Sequence, residues 1–333
     1  MNKFSALFLF WYIALTGPAL AETSDGYLPE KWWPSPWGAD DQLGAMNRLT
    51  PDKVLAATKL IERGIIYDMA RVMEEDMPLF DLTPGDRKFT LSIPGAPSWG
   101  PLGDNRLAWN EDYIAGHLSQ DGTQFDSLAH MGTMLGKSGD LNELRYYNGW
   151  SHAEIGTSRG FTKLGVEKTP PIFTRGILID VADLKGRMLE ASEEISVADL
   201  LAALKKQGMS ERDILPGDAL FYHTGWGSLW KIDNARFNSG APGLSIAAGD
   251  WLVAKQIVLV GSDNWAVEAI PHPDPRWFAP NHQKFLVENG IYIMENLDFA
   301  GLIGDSVYTF AFAFGAVPLK GATGSPGRPF AIR

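Results

Sequence analysis

Short apolar runs alternate with segments of helical periodicity in the second half of the chain. The apolar runs are typical of buried strands and lie at 176–181, 219–223, 257–260, 291–294 and 307–314. Segments with a helical spacing of apolar residues lie between them, at 197–206, 245–255 and 281–288. Ser196 stands where it can cap the first of these helices. Strands that are interleaved with helices predict an α/β sheet with partly parallel pairing.

The first half of the chain is less regular. We predict a helix at 52–63 that ends at Gly64, followed by a strand at 65–69. Residues 78–103 are dense in Pro and Gly, which predicts loops around a short strand at 89–93. Residues 22–36 are rich in Trp and Pro, and we expect an irregular arm on the surface or over a pocket. Since no repeat or linker divides the chain, residues 37–333 are expected to form one domain.

The first 21 residues have the pattern of an export signal. Lys3 precedes an apolar run at 4–15, and Ala19-Leu20-Ala21 matches the small-x-small pattern that signal peptidase reads. We expect cleavage after Ala21 and a periplasmic or secreted protein. The alternative is an uncleaved membrane anchor, for which the apolar run is short.

Charge and cysteine content exclude several functions. The formal net charge of -11 disfavours nucleic acid and anionic membranes as partners. The sequence has no cysteine, so a thiol nucleophile and disulfide bonds are impossible. It also has no His-Glu-x-x-His or phosphate-loop pattern. These absences favour metal-activated water over covalent catalysis.

Two clusters of residues could bind a metal ion. In the first, Gln120, Gln124 and Asp126 have even spacing and would face one side of an extended segment, and His130 can turn back toward them. In the second, a helix that begins near His282 is followed by a strand that ends at Glu295. Oxygen ligands together with imidazoles suit a divalent cation. Each residue alone is more often structural than functional.

The first cluster is similar to the signature of the cyclase family, which includes kynurenine formamidase and isatin hydrolase. That signature is His-x-Gly-Thr-His-x-Asp-x-Pro-x-His, and Gly122, Thr123, Asp126 and His130 match it in register. Other stretches resemble the same family in the same order; they lie at 37–51, 217–226, 261–263, 282–297 and 318–326. The resemblance therefore covers the chain from Trp37 onward.

The resemblance implies a fold and a set of roles. The fold would be α/β of the swivelling β/β/α type, in a single domain. Asp126, His282 and Glu295 would be metal ligands, and His130 would be the acid/base beside the metal.

The chain departs from the family signature at three positions. Gln120 and Gln124 replace histidines, and Leu128 replaces proline. A glutamine carbonyl oxygen is neutral and harder than an imidazole nitrogen. We therefore expect Gln120 and Gln124 to join the ligands of one divalent ion, Mn(II) or Zn(II), with a shift of preference toward Mn(II).

These features predict a metal-dependent hydrolase that opens a cyclic amide or lactone, or cleaves an aryl formamide. His130 would move the proton of a metal-activated water, and Thr123 or a backbone N–H would hold the oxyanion. Phe125, Trp99 and Phe80 are expected to contact a small aromatic or heterocyclic substrate. Since related folds commonly pair, we expect a homodimer.

Two other functions are open. One is an exported small-molecule-binding protein on the same fold that lost turnover through the two glutamines. The other is a carbohydrate- or aromatic-binding protein that uses the 22–36 arm. The joint presence of Asp126, His130, His282 and Glu295 favours the enzyme.

Further polar residues have ordinary structural interpretations. His117 could replace a missing ligand, but it precedes Gln120 by an odd spacing, which points it to the other face of a strand. His223 stands at a strand end. Asp263 follows a buried strand, where it would cap a turn or, alternatively, orient His282.

Overall fold

A nine-stranded mixed sheet forms the centre of the molecule. We describe it from a computed structural model that covers residues 31–80, 87–94 and 99–333, with the side chain of Trp99 excepted. The expected export signal at 1–21 and the first part of the 22–36 arm lie outside the described residues. The strands of the sheet are β1 (Ile66–Asp68), β2 (Gln124–Asp126), β3 (Ile172–Asp180), β4 (Ala219–His223), β5 (Leu259–Ser262), β6 (Tyr292–Glu295), β7 (Thr309–Phe314), β8 (Gly324–Pro326) and β9 (Phe330–Ile332).

The sheet has the order β1-β9-β7-β3-β4-β5-β6-β2-β8. Strands β3 to β6 are parallel to one another, and every other pair of neighbouring strands in this sheet is antiparallel. The parallel strands β4, β5 and β6 are almost wholly buried, as their continuous apolar runs predict. The α/β class with partly parallel pairing is thus confirmed.

The helices lie between the strands along the chain, and those within residues 181–282 connect the parallel strands β3 to β6. They are α1 (Pro51–Thr58), α2 (His152–Ile155), α3 (Val181–Lys185), α4 (Val197–Lys206), α5 (Asn234–Asn238), α6 (Ile246–Ala254), α7 (Pro280–His282) and α8 (Ala300–Gly304). Short 3₁₀ turns lie at Gly44–Arg48, Tyr147–Gly149, Val166–Lys168, Glu211–Asp213 and Trp226–Leu229. Helix α4 has the predicted bounds because Ser196 and Asp199 form a capping box at its start. Among the described residues, no helix is both long and apolar enough to cross a membrane.

Three predicted elements differ clearly in bounds or type from the structure. The helix predicted at 52–63 is α1, which ends at Thr58, and the backbone N–H groups of Arg63 and Ile65 donate to the Arg333 carbonyl instead. Strand β3 begins at Ile172, four residues before the predicted run, because residues 172–175 pair with β7 before the parallel pairing with β4 begins. The predicted helix at 281–288 is α7 followed by a π-helix at Gln283–Glu288. Such wider turns occur frequently at functional sites.

Residues 87–94 and 99–115 form a segment with many exposed apolar side chains, the apolar arm. It consists of two small antiparallel sheets, Thr90–Ser92 with Tyr113–Ala115 and Trp99–Leu102 with Leu107–Trp109. The first of these strands is part of the predicted strand at 89–93. Other two-stranded sheets join Thr133–Met134 to Leu144–Arg145, Gly156–Thr157 to Gly160–Phe161 and Glu194–Ile195 to Gly243–Leu244.

The described end of the Trp-rich arm, from residue 31 onward, is fixed against the 146–149 turn. Trp32 Nε1 donates to the Tyr146 carbonyl at 3.0 Å, and the Tyr147 hydroxyl donates to Asp41 at 2.7 Å. The Asn148 amide donates to the carbonyls of Gly38, Ala39 and Asp41. The described residues of 31–36 therefore lie on the body of the protein, and none of them lines the cavity described below.

Candidate metal centre

Strands β2 and β6 bring three of the candidate ligands together. The two strands pair antiparallel with Gln124 opposite Glu295, and Gln124 Nε2 donates to Glu295 Oε2 at 2.9 Å. Alternation along β2 places Gln124 and Asp126 on the same face of the strand. The same alternation places Phe125 on the opposite face.

Phe125 is consequently a core residue. Its ring is fully buried and stacks on Tyr292, with centroids 5.2 Å apart, and lies 5.1 Å from the ring of Phe314. The expectation that Phe125 contacts substrate is wrong, because the period of two along a strand turns it away from its ligand neighbours. The Trp99 side chain lies outside the described residues.

His282 enters the centre from the last residue of α7. Its Nδ1 lies 2.7 Å from Glu268 Oε1, and the other oxygen of Glu268 accepts from the backbone N–H groups of Asn281 and His282. A carboxylate only accepts, so Nδ1 carries the proton and, in the neutral ring, Nε2 presents its lone pair. That nitrogen lies 3.3 Å from Glu295 Oε1 and 3.9 Å from Asp126 Oδ2.

His130 also lies beside Asp126. The turn after β2 brings His130 Nε2 to 3.9 Å from Asp126 Oδ2, and His130 Nδ1 lies 3.2 Å from the Gln120 amide nitrogen. One ligand atom each from Asp126, His130 and His282 lies within 4.8 Å of the others. The sequence clusters at 120–130 and 282–295, far apart in the chain, thus converge on one point.

The chemistry of these atoms fits a divalent cation. Asp126 Oδ2 and Glu295 Oε1 are buried and have no hydrogen-bond partner within the described residues. Two ligand atoms that are each about 2.1 Å from one ion lie about 3.0 to 4.2 Å apart, depending on the coordination geometry. The distances of 3.3 and 3.9 Å around His282 Nε2 fall in that range. The described residues therefore contain a group that can hold a metal ion.

The two glutamines act here as hydrogen-bond donors. Gln124 Nε2 donates to Glu295 and to Gln120 Oε1, and Gln120 Nε2 donates to Asp126 Oδ1 at 3.2 Å. Their amide nitrogens thus face the carboxylates. A glutamine binds a cation through its oxygen instead, so the assignment of Gln120 and Gln124 as ligands stays a prediction.

Burial and charge shift the pKa values of the centre. Burial raises the pKa of Glu295, and burial lowers the pKa of His130 against the opposing effect of Asp126. Burial also lowers the pKa of His282, but the carboxylates of Glu268 and Glu295 outweigh it, and the net shift is upward. A bound cation would oppose the shifts at Glu295 and His282, since it stabilises the carboxylate and the neutral imidazole.

A cavity of about 190 Å³ opens beside the centre. Its wall includes the polar residues Gln120, Gln124, His130, His282 and Glu295 at one end. Its apolar wall includes Pro78, Phe80, Met131, Phe237, Trp265, Ile270 and Phe278. The rings of Phe80 and Trp265 stack with centroids 4.0 Å apart and 12° between their planes. Of the three aromatic residues expected to contact substrate, the structure places Phe80 on the cavity wall.

Other candidates of the sequence have structural partners. Asp263 accepts from the backbone N–H groups of Thr224 and Gly227 and from the Thr224 hydroxyl, so it caps the turn after β4 and does not orient His282. Glu268 has that orienting position instead. Sequence reasoning missed it because no motif or spacing links residue 268 to residue 282. His223 bonds to Asp180 at 2.8 Å, away from the centre.

The fold and the centre together define a mixed α/β protein with carboxylates and imidazoles gathered at the edge of its parallel strands. The Cyclase family model matches residues 67–269. The chain belongs to the cyclase family, and the resemblance stated from the sequence is confirmed.

Solved structures agree with this assignment. A crystal structure described as a novel cyclase is 32% identical, with 89% of this chain and 98% of that chain covered and a TM-score of 0.73. Isatin hydrolase A from Ralstonia solanacearum is 18% identical, with coverage of 85% and 98% and a TM-score of 0.59. Isatin hydrolase A from Labrenzia aggregata, bound to benzyl benzoate, is also 18% identical, with coverage of 84% and 97% and a TM-score of 0.58. The fold implied by the resemblance is confirmed. No curated protein matches the chain.

Proposed function

We propose that the protein is a metal-dependent hydrolase that opens a cyclic amide or lactone, or cleaves an aryl formamide. The observation that carries this proposal is the pair of buried, unpartnered oxygens, Asp126 Oδ2 and Glu295 Oε1, that face His282 Nε2. Buried carboxylate oxygens without a partner are unfavourable unless a cation or a donor occupies the space between them.

Asp126, His282 and Glu295 would hold one divalent ion, with Gln120 and Gln124 as further ligands after rotation of their amides. Two carboxylates and one imidazole suit both Zn(II) and Mn(II), and glutamine oxygens shift the preference toward Mn(II). The ion supplies a lowered pKa for a water molecule and polarisation of the substrate carbonyl.

His130 is the proposed acid/base. Its ring borders both the cavity and Asp126, and Gln120 fixes the orientation of the ring through Nδ1. In the observed amide orientation Gln120 Nε2 donates to Nδ1, which places the proton of the neutral ring on Nε2. After the proposed rotation of this amide, Gln120 Oε1 would accept from Nδ1–H. His130 Nε2 could then take a proton from the attacking water and deliver it to the leaving nitrogen or oxygen. The Thr123 hydroxyl donates to the Asn296 carbonyl and accepts from Arg71 N–H. This leaves a backbone N–H as the proposed oxyanion donor.

The apolar wall supports a small aromatic or heterocyclic substrate. Phe80 and Trp265 stack on each other and both line the cavity, and apolar, aromatic walls with a few polar groups are usual for such ligands. Isatin, the substrate in the name of two similar structures, is a planar cyclic amide and is therefore the first compound to test.

One observation favours a second function. The Gln120 and Gln124 amides donate to both carboxylates, which partly neutralises the centre without a cation. A protein that uses this arrangement would bind a small molecule in the same cavity and would not hydrolyse it.

Hydrolysis assays distinguish the two functions. Purified protein with Mn(II) or Zn(II) should hydrolyse at least one member of a panel of isatin, aryl formamides and small lactones.

His130→Ala should keep the metal content and lower kcat by several orders of magnitude, because proton transfer is lost while the ligands stay. Wild-type turnover in His130→Ala would remove this residue from the mechanism. Binding of a panel member without turnover by the metal-loaded protein would favour the second function.

We also propose that the protein acts as a homodimer outside the cytoplasm. The exposed apolar side chains of the apolar arm support the dimer. The expected signal at 1–21 supports the location outside the cytoplasm. A mature protein recovered from the periplasm or medium that begins at Glu22 would agree with cleavage after Ala21; one that keeps the first 21 residues would contradict it.

A further inference from the structure

Two asparagine side chains on the cavity wall present buried oxygens that have no partner. Asn296 Oδ1 and Asn238 Oδ1 both lack a hydrogen bond within the described residues, and both residues line the cavity. Asn296 is 5% exposed, and Asn238 is partly buried. A buried acceptor that is left unpaired is destabilising, so its presence on a cavity wall points to a ligand that donates to it.

The orientation of each amide is fixed by its nitrogen. Asn296 Nδ2 donates to the Gly122 carbonyl at 2.8 Å, and Asn238 Nδ2 donates to the Leu79 carbonyl at 3.0 Å. A rotated amide would set its oxygen against a carbonyl oxygen, which is repulsive. Both side chains are therefore held with the oxygen, an acceptor only, as the unpaired atom.

The backbone also holds Asn296 in place. Its N–H donates to the Asn264 carbonyl and its carbonyl accepts from the Thr123 hydroxyl, both at 2.8 Å. Its φ of 56° is left-handed, a conformation that Asn, Asp and Gly adopt more readily than other residues. As the residue after Glu295, Asn296 lies at the polar end of the cavity. Its oxygen is thus a rigid acceptor close to the place where the scissile group would lie.

We propose that Asn296 Oδ1 accepts a hydrogen bond from the N–H of the scissile amide, so that the site selects amides and lactams over lactones and esters. This inference rests on the proposed function in one respect, that the substrate occupies this cavity. A lactone would set a ring oxygen against Asn296 Oδ1 and leave it unpaired. Asn238 Oδ1, between Leu79 and the aromatic wall, offers a second acceptor for a donor elsewhere on the substrate.

The test compares two probes that the protein does not need to hydrolyse. Oxindole is a planar lactam with one N–H, and 2-indanone is its isosteric analogue with CH₂ in place of that N–H. We expect the metal-loaded protein to bind oxindole about tenfold to 100-fold more tightly by calorimetry, the range for one buried hydrogen bond whose loss leaves an acceptor unpaired. Equal affinities would overturn the proposal, and this comparison needs no variant.

A matched pair of variants tests the residue. Asn296→Gly tolerates the left-handed backbone and removes the proposed acceptor, whereas Asn238→Ala removes the other unpaired amide oxygen of the cavity wall. Oxindole has a single N–H. We therefore expect Asn238→Ala to keep the preference for oxindole and Asn296→Gly to lose it. An unchanged preference in Asn296→Gly would overturn the proposal.

The two proposals can fail separately. Selective binding of oxindole by a protein that hydrolyses no compound of the panel would contradict the hydrolase and support the donor-selecting cavity. Hydrolysis of lactones as efficient as that of matched lactams would support the hydrolase and contradict the role of Asn296.

Discussion

Glu268 links the position of His282 to the backbone around it. One oxygen of this buried carboxylate lies 2.7 Å from His282 Nδ1, and the other accepts from two consecutive backbone N–H groups. A carboxylate that binds the outer nitrogen of a ligating histidine fixes the tautomer and raises the basicity of the ring. Glu268 is thus a positioning residue for the metal centre.

We predict that Glu268→Gln weakens metal binding while the protein stays folded. A glutamine can accept from His282 Nδ1, but it lacks the negative charge, and its amide nitrogen cannot accept from the backbone N–H groups. Loss of such a partner typically lowers metal affinity about 10- to 100-fold. Calorimetric titration with Mn(II) and Zn(II) would measure the change. Glu111→Gln, which removes the same charge from an exposed position, is the control. Equal affinities in the two variants would contradict the role.

At the scale of elements, α6 and α7 are in close contact beside the centre. Gly249 lies inside α6, and a Cβ at this position would overlap the side-chain oxygen of Asn281, the neighbour of His282. The Asn281 amide nitrogen donates to the Leu244 carbonyl at 2.8 Å. Glycine at 249 therefore allows the helix that carries His282 to approach α6.

We predict that Gly249→Ala destabilises the protein. Helix propensity alone favours alanine over glycine by about 1 kcal/mol, but the overlap with Asn281 forces a shift that outweighs this gain. Gly304→Ala is the matched control, because a Cβ at this helical glycine meets no atom within 4 Å. Urea unfolding should show a lower stability for Gly249→Ala and an unchanged or higher stability for Gly304→Ala. A stabilised Gly249→Ala would show that the helices can move apart freely.

The sequence predicted the bounds of helices and strands better than the contacts between distant segments. Helix α4 was predictable to the residue because its capping box is a local signal, and β4 because its apolar run is continuous. The π-helix after His282 and the early start of β3 depend on packing and pairing with distant segments, which no local pattern contains. The convergence of residues 120–130 and 282–295 was predictable through the family signature. Glu268 and the two asparagine acceptors have no such signal.

At the scale of the whole molecule, the apolar arm carries a cluster of exposed apolar side chains. Its large side chains are 38% to 57% exposed; they are Leu91, Ile93, Leu102, Leu107, Trp109, Tyr113 and Ile114. At about 150–250 Å² per large side chain, they expose roughly 600 Å² of apolar surface, the upper end for a monomer. A standard interface buries about 800 Å² per partner. Small two-stranded sheets of this kind are marginally stable without a covering partner.

Charge favours a second copy of the chain as that partner. Residues 87–116 carry three basic and three acidic side chains, namely Arg87, Lys88, Arg106, Asp104, Glu111 and Asp112. The arm is thus neutral on a chain of net charge -11. Two copies repel each other least where the surface is neutral, and a mixed set of charges can pair with itself across a twofold axis.

We predict a dimer that depends on this arm. Replacement of Leu91, Leu107 and Tyr113 by Ser should convert the dimer to a monomer in sedimentation velocity at micromolar concentration. Leu55→Ser/Ile232→Ser removes apolar side chains outside the arm that are even more exposed, and it should leave the dimer intact. A monomeric wild-type protein would contradict the homodimer, and a dimer that survives the triple replacement would place the interface elsewhere.

The central claim is that Asp126, His282 and Glu295 hold a divalent ion, and metal content tests it most directly. Elemental analysis of protein purified without chelators or affinity metal should give about one Mn or Zn per chain, as expected for a single site. Asp126→Ala/Glu295→Ala should contain none. Asp104→Ala/Glu111→Ala, which removes two carboxylates from the exposed arm, should keep the wild-type content. A wild-type protein that contains no metal and takes up none on titration would contradict the account.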